Sequence, residues 1–246
     1  MDPYEGLAER YNLSFGLFGE HDPQVVEFFR RLFAQNIVHT VLDCACGTGR
    51  HLPLFHSLGC EVTGSDVSES MLARARNKLA GIGLDISLFQ VDFRNLPVHF
   101  QQSFDAVVCL AAIGFMSSET EFLKAFECMG QVLRAGGILI LTPLPTDRRW
   151  GERLRFILPT NTPHFSRLFA IDYLERKVRY NILDIFHADE RRDLQIWSAE
   201  LCPLLMDDQQ RLLKIAGFSE LDFLGAFDCA PYDKETSNSL ITVAYR

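Results

Sequence analysis

No uninterrupted apolar run in the 246 residues approaches the roughly 18–20 needed to span a bilayer. The opening MDPYEGLAER has no basic stretch followed by an apolar one, so no secretory signal is expected and the expected location is the cytoplasm. Paired cysteine spacing is missing too. The seven cysteines, Cys44, Cys46, Cys60, Cys109, Cys128, Cys202 and Cys229, are odd in number, scattered and mostly set in apolar runs, which excludes a disulfide framework. Cys44 and Cys46 form C-x-C with no nearby C-x-x-C or H-x-x-x-H to complete four ligands, so no metal is expected. Positive charge is scarce. The 24 Lys and Arg stand against 32 Asp and Glu, and the net charge of −8 disfavours nucleic acid and anionic membranes as partners.

What is present is an ordinary globular composition, 48% hydrophobic and 23% charged. That supports one α/β core, read here as a single domain over residues 1–246. Asp22-Pro23 predicts a helix start, followed by Val26, Phe29, Leu32 and Phe33 at helical spacing. TVLDCA reads as a buried strand, HLPLFHSLG as a helix, CEVTGSD as a second strand, and Ser68 as the cap of the next helix. DISLFQVD and FDAVVCLAA are the third and fourth strands, the latter nearly continuous in apolar residues, as in a strand covered on both faces. TEFLKAFECMGQVLRAGG predicts an amphipathic helix closed by Gly136-Gly137, with Leu133 on its inner face, and ILILTPL is the fifth strand. Strand and helix alternate from Asp22 to Leu144, the pattern of a doubly wound, mostly parallel sheet.

The rhythm then changes. RLFAIDYLE, KVRYNILDIFH and RDLQIWSAELC predict three strands without helices between them, an antiparallel insertion over residues 145–203 after the fifth strand. A helix, MDDQQRLLKIAGF, and two last strands follow, giving a seven-stranded Rossmann-like sheet. Residues 1–21, rich in aromatics, are read as an N-terminal lid segment in which Phe15 and Phe18 can also staple a helix to the sheet.

The stretch VLDCACGTGRH, Val41 to His51, carries the first chemical signal. Gly47 and Gly49 follow a strand and open a helix, where backbone N–H groups can approach a ligand closely. No G-K-[ST] follows, which excludes a P-loop, and the third glycine of a dinucleotide fingerprint is replaced by Leu52. Asp43 at the mouth of the turn repels a pyrophosphate and favours an ammonium group. Asp66 ends the second strand, 17 positions after Gly49, where an acid can accept from ribose hydroxyls. Asp92 ends the third strand and can accept from an exocyclic adenine N–H, with Val67 and Phe93 as apolar walls. A ligand with an amino group, a ribose and an adenine but no phosphate fits these three acids, and S-adenosylmethionine is such a ligand.

These stretches resemble the class I S-adenosylmethionine-dependent methyltransferases. VLDCACGTGRH resembles the family's first motif, with Ala45 where many members have glycine. GSDVSESML and FQVDFRNLP resemble its ribose and adenine motifs, and FDAVVCLAAIGFM and VLRAGGILI its later strand and turn. The resemblance implies that Asp43, Ala45, Gly47 and Gly49 surround the methionine part of the cofactor. It places Asp66 and Val67 at the ribose and Asp92 and Phe93 at the adenine. The segment from Cys109 to Gly114 is expected beside the methyl group.

For proton transfer the candidates are Tyr11 and His187, with His164 and Asp228 behind them. Neither [DN]-P-P-[YF] nor a pair of glutamates follows the fourth strand, so a small-molecule acceptor is expected rather than DNA or protein arginine. The match is closest in kind to small-amine N-methyltransferases, with attack through oxygen left open. Arg148, Arg149, Arg153 and Arg155 offer either a site for an acidic acceptor or a solvated helix face, and Trp150 and Trp197 are read as packing residues. A nucleotide-binding oxidoreductase and a non-catalytic partner subunit are the competing functions. The sequence carries no signal for oligomeric state.

Overall fold

The structure is a computed structural model that describes residues 4, 6–14, 18–143, 145–187 and 192–246. The first helix, α1 (Pro23–Gln35), starts as its sequence requires. The Asp22 carboxylate accepts from the Gln24 N–H at 2.8 Å, and Phe28, Phe29, Leu32 and Phe33 bury one face. Then follow β1 (Thr40–Asp43), α2 (Leu52–Ser57), β2 (Glu61–Asp66), α3 (Glu69–Gly81), β3 (Ser87–Gln90), α4 (Leu96–His99) and β4 (Phe104–Leu110). Next come α5 (Glu119–Gln131) and β5 (Leu133–Thr142). Ser68 caps α3 by accepting from Met71 N–H at 3.1 Å.

β1 to β5 pair in parallel, and β10 (Glu220–Leu224) and β11 (Ile241–Tyr245) add two antiparallel strands. The sheet order is β10-β11-β5-β4-β1-β2-β3. Residues of β4 and β5 alternate between two cores. Val107, Cys109, Leu139 and Leu141 pack on one face, and Ala106, Val108, Ile138 and Ile140 on the other. Burial on both faces is why these strands read as continuous apolar runs. α7 (Met206–Ile215) packs on the first face through Leu212 and Leu213.

Two expectations need correction. Gly136-Gly137 does not close α5. The helix ends at Gln131, and both glycines and Leu133 lie within β5. Gly136 has φ +70° and its N–H meets the Arg246 carbonyl at 2.9 Å, so it shapes an irregular strand start. The insertion also holds four strands rather than three: β6 (Phe156–Asn161), β7 (Phe165–Tyr173), β8 (Val178–Phe186) and β9 (Asp193–Leu201), in that spatial order, after the short helix α6 (Asp147–Glu152). β6 escapes sequence reading because Pro159 interrupts it, and proline is tolerated there because β6 is an edge strand. Among the described residues no helix is long and apolar enough to cross a membrane.

Candidate functional site

The carboxyl ends of β1, β2, β3 and β4 meet a crevice where the sheet order reverses, between β1 and β4. Ligands of open α/β sheets bind at such a point. The four-stranded sheet roofs this crevice. Two connected cavities of about 410 Å³ and about 370 Å³ lie between them and share Tyr4, Ala45, Asp66, Ala112, Phe115, Trp197 and Ala199.

Asp43 sits at the tip of β1 and is only 2% exposed. Burial, opposed by a backbone hydrogen bond from Ala45 and reinforced by the Asp66 charge, pushes its carboxyl up to about 7. Its Oδ1 is buried without a hydrogen-bond partner among the described residues. Asp43 itself lines neither cavity, although Cys44 and Ala45 after it line the larger one; buried polar atoms are almost always partnered, so its orphaned acceptor marks a place for a donor. Gly47 stands next to it with φ +54°, and a Cβ there would meet no protein atom within 4 Å. The backbone there is open to a ligand.

Asp66 closes the turn from the other side. Its Oδ2 accepts from Gly47 N–H at 2.8 Å and its Oδ1 from Ser68 N–H at 2.9 Å. These two bonds fix the orientation of the carboxylate at the cavity wall. Val67, 47% exposed, and Phe93 line the larger cavity beside it. Asp92 lines it as well, but its carboxylate holds the Arg94 guanidinium, with Nε at 3.0 and 3.1 Å from the two oxygens. Burial raises the Asp92 pKa, and the Arg94 hydrogen bonds outweigh it, so the carboxyl lies below its ordinary value. Arg94 reaches on to Glu121 at 2.7 Å. This wall is therefore an ion pair rather than a bare acid.

Three expected site residues fall elsewhere. Gly49 lines neither cavity. A Cβ there would lie 3.1 Å from Ala75 Cβ and 3.3 Å from Leu52 Cδ1, so this glycine lets α3 approach the turn. Cys109 is fully buried in the core; the last residue of β4, Leu110, and the turn after it, Ala111 and Ala112, line the cavity in its place. Ala111 takes φ +55°, a left-handed conformation unusual for a residue with a side chain. Its N–H is held by the carbonyl and hydroxyl oxygens of Thr142, both at 2.9 Å. His187 bonds the Ser166 hydroxyl at 2.9 Å at the end of β8 and lines neither cavity. Among the described residues no histidine lines either one.

Tyr11 does line the smaller cavity, beside Gly47 and Asp66. Burial first, then the Asp66 charge, raises its hydroxyl pKa, so it is protonated at neutral pH and acts as a donor, not as a base. The sequence reading missed the roof. Trp197 lines both cavities and stacks on Tyr4 at 5.6 Å, although it had been expected only to pack. Phe169, Tyr180, Ile182 and Leu201 line the smaller cavity from the same sheet face. Period-2 alternation in β7 to β9 was the available signal. The arginines of the 148–155 stretch line neither cavity: Arg148 bonds Glu152, and Arg153 lies over the Trp150 ring at 5.4 Å. Phe15 lies outside the described residues.

Comparison with known proteins agrees with this geometry. Residues 41–137 match the family model described as a methyltransferase domain. A glycine/sarcosine N-methyltransferase from Aphanothece halophytica is 27% identical over 223 residues, covering 89% of this chain and 80% of that protein. Over residues 41–137 the chain resembles the class I S-adenosylmethionine-dependent methyltransferases. A second relative of this chain is a dTDP-3-amino-3,4,6-trideoxy-alpha-D-glucopyranose N,N-dimethyltransferase from Streptomyces venezuelae. It is 32% identical over 105 residues, 42% of either chain. A solved S-adenosylmethionine-dependent methyltransferase from Clostridium acetobutylicum superposes with a TM-score of 0.83 over 98% of both chains at 18% identity, which establishes the likeness of fold.

Proposed function

We propose that this methyltransferase binds S-adenosylmethionine across the crevice and passes its methyl group to a small-molecule amine seated under the roof. The cofactor's amino group takes the open Oδ1 of Asp43, and its tail runs over Ala45 and Gly47. The ribose hydroxyls donate to Asp66, and the adenine lies between Val67 and Phe93 at the Asp92–Arg94 pair. The orphaned Asp43 oxygen beside an open glycine backbone carries this reading. A pyrophosphate set against the buried Asp43 and Asp66 would meet two carboxylates, which disfavours a dinucleotide.

When bound, S-adenosylmethionine supplies a methyl group already activated by a positive sulfur. The chain's own contribution is alignment and dryness. Small backbone-exposing residues, Ala111 and Ala112, allow close approach, and the roof excludes water. The acceptor nitrogen's lone pair forms the new N–C bond as the C–S bond breaks, with its electron pair left on sulfur. The methylated ammonium then gives its proton to solvent. A neutral amine needs no base before attack, which suits a site whose Tyr11 is held protonated. The names of both relatives, N-methyltransferases of small molecules, support nitrogen as the target.

Titration calorimetry with S-adenosylmethionine and with NAD, followed by methyl transfer from labelled cofactor to an amine and phenol panel, tests this. Binding of NAD in preference, or transfer only to phenols, would overturn it.

A further inference from the structure

The smaller cavity says more about the acceptor, on the premise that the methyl-transfer reading above holds. Its walls are apolar: Leu7 from the N-terminal segment, Phe115 from the turn after β4, and Phe169, Ile182, Trp197 and Leu201 from the roof. Its volume of about 370 Å³ admits a ring-sized body.

Among the described residues two charged side chains line this cavity, Asp66 and Arg167. Asp66 is held by the turn amides described above. Arg167 is 3% exposed and almost fully engaged. Its Nε donates to Asp184 Oδ1 at 2.6 Å, and its Nη2 to Asp184 Oδ2 at 2.9 Å and to the Arg10 carbonyl at 2.8 Å. Its Nη1 donates to the Tyr11 carbonyl at 3.2 Å. Four of a guanidinium's five N–H donors are thus committed. The Arg10 guanidinium also bonds Asp184. Two cations against Asp184 leave one positive charge, and Asp66 supplies one negative, so the chamber is balanced without a ligand. A phosphate or carboxylate entering it would lose its water and find no free fork of donors, which is strongly unfavourable.

One polar group there stands apart. Tyr180 is 8% exposed and lines the cavity, and no hydrogen bond to its hydroxyl is found among the described residues. It faces Phe169 edge-on at 6.3 Å. A tyrosine that lines an apolar cavity can offer its hydroxyl to a ligand as donor or acceptor.

We infer that the acceptor is an amine on an apolar, ring-bearing skeleton that carries neither phosphate nor carboxylate, and that Tyr180 positions it through a hydrogen bond. The apolar skeleton lies against Phe115, Phe169 and Trp197, and specificity against zwitterionic amino acids and sugar phosphates comes from the absence of a free cation.

The test loads the full-length protein with S-adenosylhomocysteine and titrates it with two probe sets by calorimetry. One set is benzylamine, phenethylamine and tryptamine; the other is glycine, sarcosine and glucosamine 6-phosphate. The arylalkylamines are expected to bind at least about tenfold more tightly, and Tyr180→Phe to weaken them about tenfold at unchanged S-adenosylhomocysteine affinity. Ile182→Lys, which adds a cation to the roof, is expected to shift preference toward glucosamine 6-phosphate. Equal or tighter binding of the second set, or no binding of any arylalkylamine to the loaded protein, overturns the inference and leaves the methyl-transfer reading intact. Failure of S-adenosylhomocysteine itself to bind overturns that reading and the inference with it.

Discussion

Asp43→Asn should make the ligand-free protein more stable while weakening its cofactor binding, and the size of the first effect follows from the site. The buried carboxyl ionises at about 7 rather than its ordinary 3.8. Between those values the folded chain holds a proton that the unfolded chain has lost. The group's stabilising contribution is therefore fully present below pH 3.8 and lost as pH rises through 7. At 1.36 kcal/mol per pH unit the ionised carboxylate costs about 4 kcal/mol at pH 8, and about 2–3 kcal/mol of that accrues between pH 5 and 8. Asparagine has no charge to bury, so its advantage over the natural residue should grow by that amount across this interval. For a chain of this size that corresponds to a melting-temperature difference that widens by about 5–10 °C. Comparing two proteins at each pH cancels other titrations, including that of His51, which burial beside His21 and Arg50 lowers to about 3. Scanning calorimetry at pH 5, 6, 7 and 8 reads the effect directly. A difference that stays constant with pH would refute the buried-charge argument. The same variant should bind S-adenosylmethionine about 10–100-fold more weakly, since a charge-assisted hydrogen bond is lost.

Gly47→Val puts a branched side chain at φ +54° into space the protein leaves open. Cofactor binding should disappear by calorimetry while circular dichroism still shows the fold, and normal binding would place the ligand elsewhere. Asp66→Ala removes both the acceptor for Gly47 N–H and the proposed ribose contact, so cofactor affinity should fall by about 1–3 kcal/mol. Asp184→Ala leaves the buried guanidiniums of Arg10 and Arg167 without their shared carboxylate and should destabilise by about 3–5 kcal/mol in urea unfolding. Tyr11→Phe should lower kcat about tenfold or more through loss of one donor, without introducing or removing a limb of the pH–rate profile near neutrality.

The floor of the site was legible because its signals are local. Asp43, Gly47 and Asp66 each lie at a strand–turn–helix junction whose residues are neighbours in sequence; Gly47 and Asp66 are hydrogen-bonded and line one cavity, while Asp43 lines neither. Gly49 and Cys109 were misplaced by one structural step each. Whether a turn glycine faces the ligand or the next helix, and which parity of a strand faces the cavity, depends on packing that no short window contains. The roof was less legible still. Trp197, Tyr180 and Phe169 become cavity walls only because β7, β8 and β9 pair in one register and dock one face over the crevice. His187 shows the reverse error: a reactive residue type bonded instead to Ser166. Arg94 was passed over because its partner Asp92, two residues away, was read as facing a ligand alone.

The Arg10–Asp184 contact joins residues 174 positions apart. Arg10 is made 174 residues before its partner, which arrives only with β8, after all five parallel strands. Closing so long a loop costs entropy that local contacts cannot offset early. Until Asp184 is made the crevice lacks its full ceiling, and β10 and β11 complete the lower sheet only after that.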